Sequence, residues 1–485
     1  MEVPPSVAVS NSMKDLATNS PTSERTISSL PQELLASILD MAQEKANCGD
    51  PNDLTKSSVY LVASQVSKFW RLVAINNPLW WTHLFISPPW KLETIATYLK
   101  RSKECPIEMH ISVHPDYWNI SRESAATLPS LSGFGALGEL ISPHFHRCRA
   151  LRVQGIFFQD HNLPIHLLRP LGTIGMPYLE KFTFDGEFSF QDETPIVDRR
   201  IPLFSTAPLL RDLRMGGTAF MTFSPPLSSV TTLHLSRVID KGPINFSEVG
   251  RVLEACASLT SFAVYDDLLK DWPGILASCH VPLLEKLHIF GNMLSVSELL
   301  LFLDAPNIKE LVIAPIVAAD LALYLRHSTS QRVRFPLLTT LTLAPAYPEA
   351  FNVLPDASRC FPRVEVLVLT STYLGDFVRI FTNEKSIEFP NLVSIATAGV
   401  DQRFAGLLHE VATFRLKHQV PFQKIIVDAA SLGVLRTTGV DWYGAEFVEE
   451  DIWDGQRRMA LYSHVKDLFV GSTHDYSDEE LIPGI

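Results

Sequence analysis

The chain has 485 residues, 46% hydrophobic and 19% charged, a globular composition too long for one compact core, so several domains or one elongated repeat array are expected. Lys and Arg number 41 against 53 Asp and Glu, and the net charge of −12 disfavours a general electrostatic grip on nucleic acid. No apolar run approaches the roughly 20 residues that span a bilayer, and the N-terminal stretch lacks the basic start and apolar core of a secretory signal.

The cysteines at positions 48, 105, 148, 256, 279 and 360 form no C-x-x-C pair and are too sparse for a disulfide scaffold. Reduced thiols in the cytoplasm or nucleus are therefore expected, and the glycosylation patterns at Asn119 and Asn245 are read as chance matches.

Residues 1–25 are rich in Ser, Thr, Pro and Asn without an aromatic, so a flexible tail is expected there. From Ile27 the pattern changes. Leu34, Leu35, Ile38, Leu39 and Ala42 recur on one helical face, with Ser29 and Gln32 offering a capping box and Pro31 in the first turn. A polar turn at Asn47–Asp53 follows. Then Val59, Val62, Val66, Phe69, Trp70 and Val73 form the stripe of a second helix, ended by Asn76-Asn77-Pro78 before Leu79-Trp80-Trp81.

The series Leu30-Pro31-x-Glu33-Leu34, Ile38-Leu39, Val66-Ser67-Lys68-x-Trp70-Arg71, Pro78-Leu79-Trp80 and Leu84 resembles the F-box motif over about residues 27–88. The resemblance implies a three-helix module (residues 26–90) that docks a Skp-type adaptor and, through it, a cullin ubiquitin ligase. It assigns adaptor contact to Leu30, Pro31, Glu33, Leu34, Ile38, Leu39, Val66 and Trp70. The linker from Glu44 to Ser58 is longer than the family's usual one. A module of about 60 residues is marginal alone, which suits burial of part of its apolar stripe by a partner; an internal core is the competing role, above all for Val66 and Trp70.

Downstream, P-x-L-x-x-L-x-L recurs. It appears at residues 176–184, 207–215, 281–289, 305–313, 335–343, 361–369 and 389–397, and without Pro at Val230 and Leu259. The first apolar positions, 179, 210, 230, 259, 284, 308, 338, 364 and 392, lie about 27 residues apart, the period and core of leucine-rich repeats. Further copies are expected at Leu151-x-Val153 and near Ile425–Val427. Amphipathic segments such as Glu248–Cys256, Val296–Leu303, Asp320–Leu325, Asp376–Phe381 and Phe404–Val411 lie between them. The expected fold is α/β: the three-helix module, then an irregular leucine-rich-repeat-like solenoid over 91–440, then an acidic cap and tail over 441–485. The Asn or Cys usual after the strand appears only as Asn292, with Thr218 and Thr372 as substitutes, so uneven curvature is expected.

Other motifs carry less. Gly133-Phe134-Gly135-Ala136-Leu137-Gly138 spells G-x-G-x-x-G, with Asp160 downstream, but no apolar strand precedes it, so a loop entering a helix is the better reading. His144-x-His146-x-Cys148 offers three zinc-type donors but no fourth, and reads as a helix end entering the strand Leu151–Val153. No hydrolase elbow, zinc-protease motif, Walker A loop or EF-hand loop occurs, so neither catalysis, cofactor nor metal is expected. Asp441–Asp454 carries six acids among Trp442, Tyr443, Phe447 and Trp453, read as a cap on the solenoid's end or as a partner-binding segment. The final SDEELIPGI reads as a frayed tail.

Alternate strand positions should face outward on the solenoid's concave side. They place Lys181, Arg214, His234, Lys286 and His288 in the early half, a basic column suited to an acidic or phosphorylated target segment. Together these readings imply the substrate receptor of a Skp/cullin/F-box ligase. A scaffold with a degenerate F-box serving no ligase is the alternative, and an enzyme hidden in the solenoid a third.

Overall fold

The computed structural model describes residues 30–47, 59–87, 90–112, 131–157, 168–188 and 200–451. The last stretch is interrupted at 218, 237–243, 266–268, 271, 275–277, 291–295, 318, 329–333, 346–351 and 370–374. The expected tails at 1–25 and 477–485, Ser29, the turn from Cys48 to Asp53, Asn119, Asp160, Thr218, Asn292, Thr372, Trp453 and Asp454 lie outside these residues. The chain divides into two compact units, one ending at Trp80 and one beginning at Trp81.

The first unit is helical. It contains α1 (Gln32–Asn47), α2 (Val59–Val66) and α3 (Lys68–Asn76). The single helix expected over 59–73 is two helices, because Ser67 is extended and its hydroxyl accepts from the Trp70 N–H at 3.2 Å. A side chain that caps a new helix competes with the old one at that point. Leu35, Leu39, Ala63, Val73, Ala74 and Trp80 are buried. Tyr60 stacks on Trp80 at 4.4 Å, and Asp40 Oδ1 accepts from Trp80 Nε1 at 2.7 Å and from the Tyr60 hydroxyl at 3.2 Å.

The second unit is α/β, built on one 14-stranded sheet whose strands all run parallel and follow one another in sequence order. They are β1 (His83–Ile86), β2 (Ile107–Ser112), β3 (Cys148–Phe157), β4 (Lys181–Phe188), β5 (Asp212–Gly217), β6 (Thr232–Ser236) and β7 (Ser261–Tyr265). There follow β8 (Lys286–Phe290), β9 (Glu310–Ile316), β10 (Thr340–Pro345), β11 (Val366–Leu369), β12 (Ser394–Thr397), β13 (Lys424–Val427) and β14 (Glu446–Glu449). Helices alternate with them: α4 (Leu92–Arg101), α5 (Leu131–Ile141), α6 (Phe246–Ala255), α7 (Val296–Phe302) and α8 (Ala322–Ser328). Further helices of seven residues or more are α9 (Leu354–Cys360), α10 (Gly375–Phe381), α11 (Gln402–Lys417) and α12 (Ala429–Thr437). Sequential parallel strands alternating with helices are the arrangement of a leucine-rich-repeat-like α/β array.

The repeat explains the geometry. In each Pro-containing copy the residue before Pro accepts from the first apolar residue's N–H, as in Leu284 N to Val281 O at 3.2 Å and Leu392 N to Phe389 O at 3.0 Å. That is a β-turn with Pro in its second position, where its fixed φ is already correct. Val230 and Leu259 close the same turn at 3.1 and 3.0 Å without Pro, so proline assists the turn but is not required. The next apolar residues, such as Leu287, Leu311 and Leu341, align in register and are fully buried against the helices. Each such Leu contributes about 1.5–3 kcal/mol of burial.

Another ladder ties copies together at the turn. Asn307 Nδ2 donates to Pro282 O at 2.7 Å, Arg363 Nη1 to Pro336 O at 2.7 Å, and Asn391 Nδ2 to Pro362 O at 2.8 Å. This ladder precedes the strand. The Asn or Cys expected of leucine-rich repeats would follow it.

Gly135 and Gly138 lie inside α5, not in a phosphate loop. His144 and His146 sit in a 3-10 turn, Ser142–Arg147, that leads directly into β3 at Cys148. The expected copy at Leu151–Val153 is β3 and that at Ile425–Val427 is β13. The acidic-aromatic stretch supplies β14, which pairs with β13, while Trp442 is buried in the main core.

Candidate functional site

Two surfaces carry the residues singled out in sequence. The first is the helical unit. Of 17 exposed large apolar side chains among the described residues, eight belong to this unit: Leu34, Ile38, Met41, Leu61, Val62, Val66, Leu72 and Leu79. The unit contributes only 40 described residues, so the enrichment is local. On α1, Leu34, Ile38 and Met41 follow one another at helical spacing and are 53%, 45% and 58% exposed, while Leu35 and Leu39, about 100° further round the helix, are buried.

The eight positions assigned to adaptor contact therefore divide. Pro31, Glu33, Leu34, Ile38 and Val66 are exposed, Leu30 and Trp70 are half-buried, and Leu39 belongs to the unit's core. Met41, Leu61, Val62, Leu72 and Leu79 join the exposed set; their helical spacing from the quoted motif was the available signal. Trp70 Nε1 is buried and has no hydrogen-bond partner.

The second surface is the face of the sheet turned away from the helices, the inner face. The parallel register sets its side chains in rows: Asp212, Thr232, Ser261, Lys286 and Glu310 in one, Arg214, His234, Ala263, His288 and Val312 in the next. Lys181 and Thr183 continue the two rows on β4. The five residues assigned to target binding thus stand on one face, but the expectation that all five meet solvent does not hold. His234 and His288 are fully buried, and Arg214 is half-buried. Their neighbours Ala263, Tyr265, Phe290, Val312 and Ala314 form an apolar cluster that withdraws both imidazoles from water.

The cations are also matched. Arg214 Nε meets Asp212 at 3.2 Å, Lys286 Nζ meets Glu310 at 3.1 Å, and His288 Nε2 contacts the same carboxylate at 3.1 Å. Against such pairs the face is not a uniformly basic column. Burial holds His234 well below the usual imidazole range, and the Arg214 charge and His288 add to this. Its Nδ1 contacts the Tyr265 hydroxyl at 2.9 Å, whereas His234 Nε2 and His288 Nδ1 have no hydrogen-bond partner. On β2, burial followed by the Arg152 charge brings His110 to about 3.

Among the described residues no three metal-ligating side chains converge, and the five described cysteines carry free thiols. A cavity of about 20 Å³ beside Met215, Phe223 and Leu235 has room for little more than a water. No helix among the described residues is long and apolar enough to cross a membrane. No protein-family model matches the chain, and no curated protein matches it either.

Proposed function

We propose that the protein is a protein-binding receptor whose helical unit docks a Skp-type adaptor and whose repeat unit recruits a target to a cullin ubiquitin ligase. The observation that carries this is the apolar stripe Leu34–Ile38–Met41, exposed on a helix whose adjoining face already packs a core. Burying each such side chain against a partner is worth about 1.5–3 kcal/mol, and a stripe of this kind is the usual signature of an interaction face. The motif resemblance over residues 27–88 names the adaptor class.

Under this reading the chain performs no transfer chemistry. It raises a target's effective concentration near a ubiquitin donor carried by other subunits. Target contacts are expected at the exposed margin of the repeat unit, where Lys181 and Lys286 remain accessible, with the buried His234 and His288 shaping that margin from beneath.

Co-expression with a Skp-type adaptor followed by size-exclusion chromatography tests the proposal. Wild type should co-elute with the adaptor, and Leu34→Ser/Ile38→Ser should not, while retaining its circular dichroism because neither residue is in the core. A folded wild type that elutes alone would refute the adaptor reading and leave a repeat scaffold outside any ligase.

A further inference from the structure

The main sheet ends on a strand that has one neighbour. β14 pairs with β13 in parallel, and among the described residues no strand lies along its other edge. Glu446 N donates to Gln423 O at 2.8 Å and Glu450 N to Val427 O at 3.1 Å, so these residues turn their backbone groups to β13. In a parallel strand the alternate residues turn theirs the opposite way, which directs the N–H and C=O of Phe447 and Glu449 to the open edge. The packing is unfinished there as well. Leu341, Leu367, Ile395 and Ile425, in register with Phe447 on successive strands, are fully buried, whereas Phe447 is half-buried. Val448, on the inner face, is half-buried too.

We propose that this edge is a docking site for an extended segment of a partner protein, basic at its flanks and apolar at its centre, which adds to the sheet as a further strand. Two observations choose that occupant. The first is charge. The stretch 441–451 holds Asp441, Glu446, Glu449, Glu450 and Asp451 and no Lys, Arg or His, and all five acids are exposed. Its one ion pair among the described residues joins Lys424 to Glu446 at 3.6 Å. The second is the existing neighbour, because β13 shows the kind of strand that β14 accepts. Lys424 stands beside Glu446, and Ile425 and Ile426 stand beside Phe447 and Val448. A strand on the outer edge meets the same Glu-Phe-Val-Glu sequence, so Lys or Arg suits its ends and aliphatic residues its middle.

A second copy of the chain fits the edge poorly. Pairing two β14 edges sets Glu446 and Glu449 of one copy against the same acids of the other, and like charges across a strand pair repel. Charged side chains on an edge strand guard against sheet-to-sheet association, and acids do so selectively, excluding an acidic edge while attracting a basic one. In strand addition of this kind the backbone bonds supply affinity and the alternate side chains supply selectivity. The site lies at the last strand of the array, distant from Lys181 on β4 and Lys286 on β8. The inference therefore stands independently of the adaptor reading and of the target margin proposed above.

Fluorescence anisotropy of a labelled Lys-Lys-Ile-Val-Arg-Lys peptide titrated with the full chain tests it. The peptide should bind saturably, and Glu449→Lys/Glu450→Lys should weaken binding about tenfold. Both residues are exposed, so the variant should keep the circular dichroism of wild type. A peptide N-methylated at both Ile and Val should not bind, because one of two neighbouring N–H groups must face β14. Hydrogen exchange of the wild-type chain needs no variant: the peptide should slow exchange of the Phe447 and Glu449 amides. Equal binding of the methylated peptide would reduce the contact to charge attraction and overturn the proposal. Failure of wild type to bind, unchanged affinity of the folded variant, or binding that leaves exchange at Phe447 and Glu449 as it was would overturn it equally.

Discussion

Arg147 and Arg415 are buried guanidinium groups that serve backbone carbonyls. Arg415 donates to the carbonyls of Glu388, Phe389 and Leu392 at 3.0, 3.2 and 2.9 Å and lies over the Phe422 ring at 5.0 Å. Burial brings its pKa down to about 10, so it stays charged at neutral pH. A planar fork with several donors satisfies three carbonyls that a lysine reaches poorly. Arg415→Lys should therefore cost about 3 kcal/mol, read as a lower urea midpoint at unchanged slope. His234 gives a pH-dependent counterpart. Its neutral form is held in the folded state by burial, with Arg214 on β5 and His288 on β8 opposing a charge there and the Tyr265 hydroxyl on β7 at its Nδ1. The unfolded imidazole takes up a proton below its ordinary pKa near 6.5 and the folded one does not, so stability falls as pH drops through that value. For one proton the slope reaches about 1.4 kcal/mol per pH unit. His234→Gln should flatten the stability profile between pH 6.5 and 5 relative to wild type, and parallel profiles would show that His234 takes no part.

Helix ends set much of what happens between strands. Asp428 caps α12 by accepting from Ser431 N at 2.9 Å, and its other oxygen accepts from Gly399 N at 2.9 Å, tying α12 to the turn after β12. Burial pushes this carboxyl up, but the Ser431 and Gly399 amides, the Ser431 hydroxyl and the Ala430 amide bring it below its usual value. A depressed carboxylate stabilises above its unfolded pKa, and that contribution is lost as pH falls through the lower folded value. Asp428→Ala should cost about 1–2 kcal/mol at neutral pH and less in acid, measured by thermal unfolding across pH. The elements legible in the sequence were those with a long repeat. L-x-x-L-x-L placed β4 to β12 and their register, because one apolar face of each strand is fixed by the core. β1 and β2 were missed: Leu84 and Ile86 sat inside the motif resemblance, and Ile107, Met109 and Ile111 lack the preceding x-P-x-L turn. The break at Ser67 was hidden because the apolar stripe of 59–73 continues across it. Burial of the inner face was illegible for another reason. Alternation tells which side of a sheet a residue faces, but not whether that side is covered.

At the scale of the whole sheet each strand touches only its two neighbours, so stability should be distributed along the array. Ile425 on β13 is fully buried one strand from the end. Ile425→Ala removes about 2–4 kcal/mol there, and hydrogen exchange should lose protection in β13 and β14 while β4 to β9 keep theirs. Uniform loss across all strands would show one indivisible cooperative block instead. The helical unit differs in kind. Spacing put Leu34, Leu35, Ile38 and Leu39 together on one face of a helix, whereas Leu34 and Ile38 are exposed with Met41, which the reading did not single out, and Leu35 and Leu39 belong to the interior. Only the packing of α1 against its neighbours separates the two.

Strictly sequential strand order also bears on synthesis. Successive repeats are about 27 residues apart in a chain of 485, so strand pairings in the main sheet are local on the scale of the chain. Every new strand finds its partner already made and adjacent as the polypeptide leaves the ribosome. The array is thus suited to growing from β1 onward one repeat at a time. A translational pause after any repeat leaves a folded stub whose last strand is the template for the next.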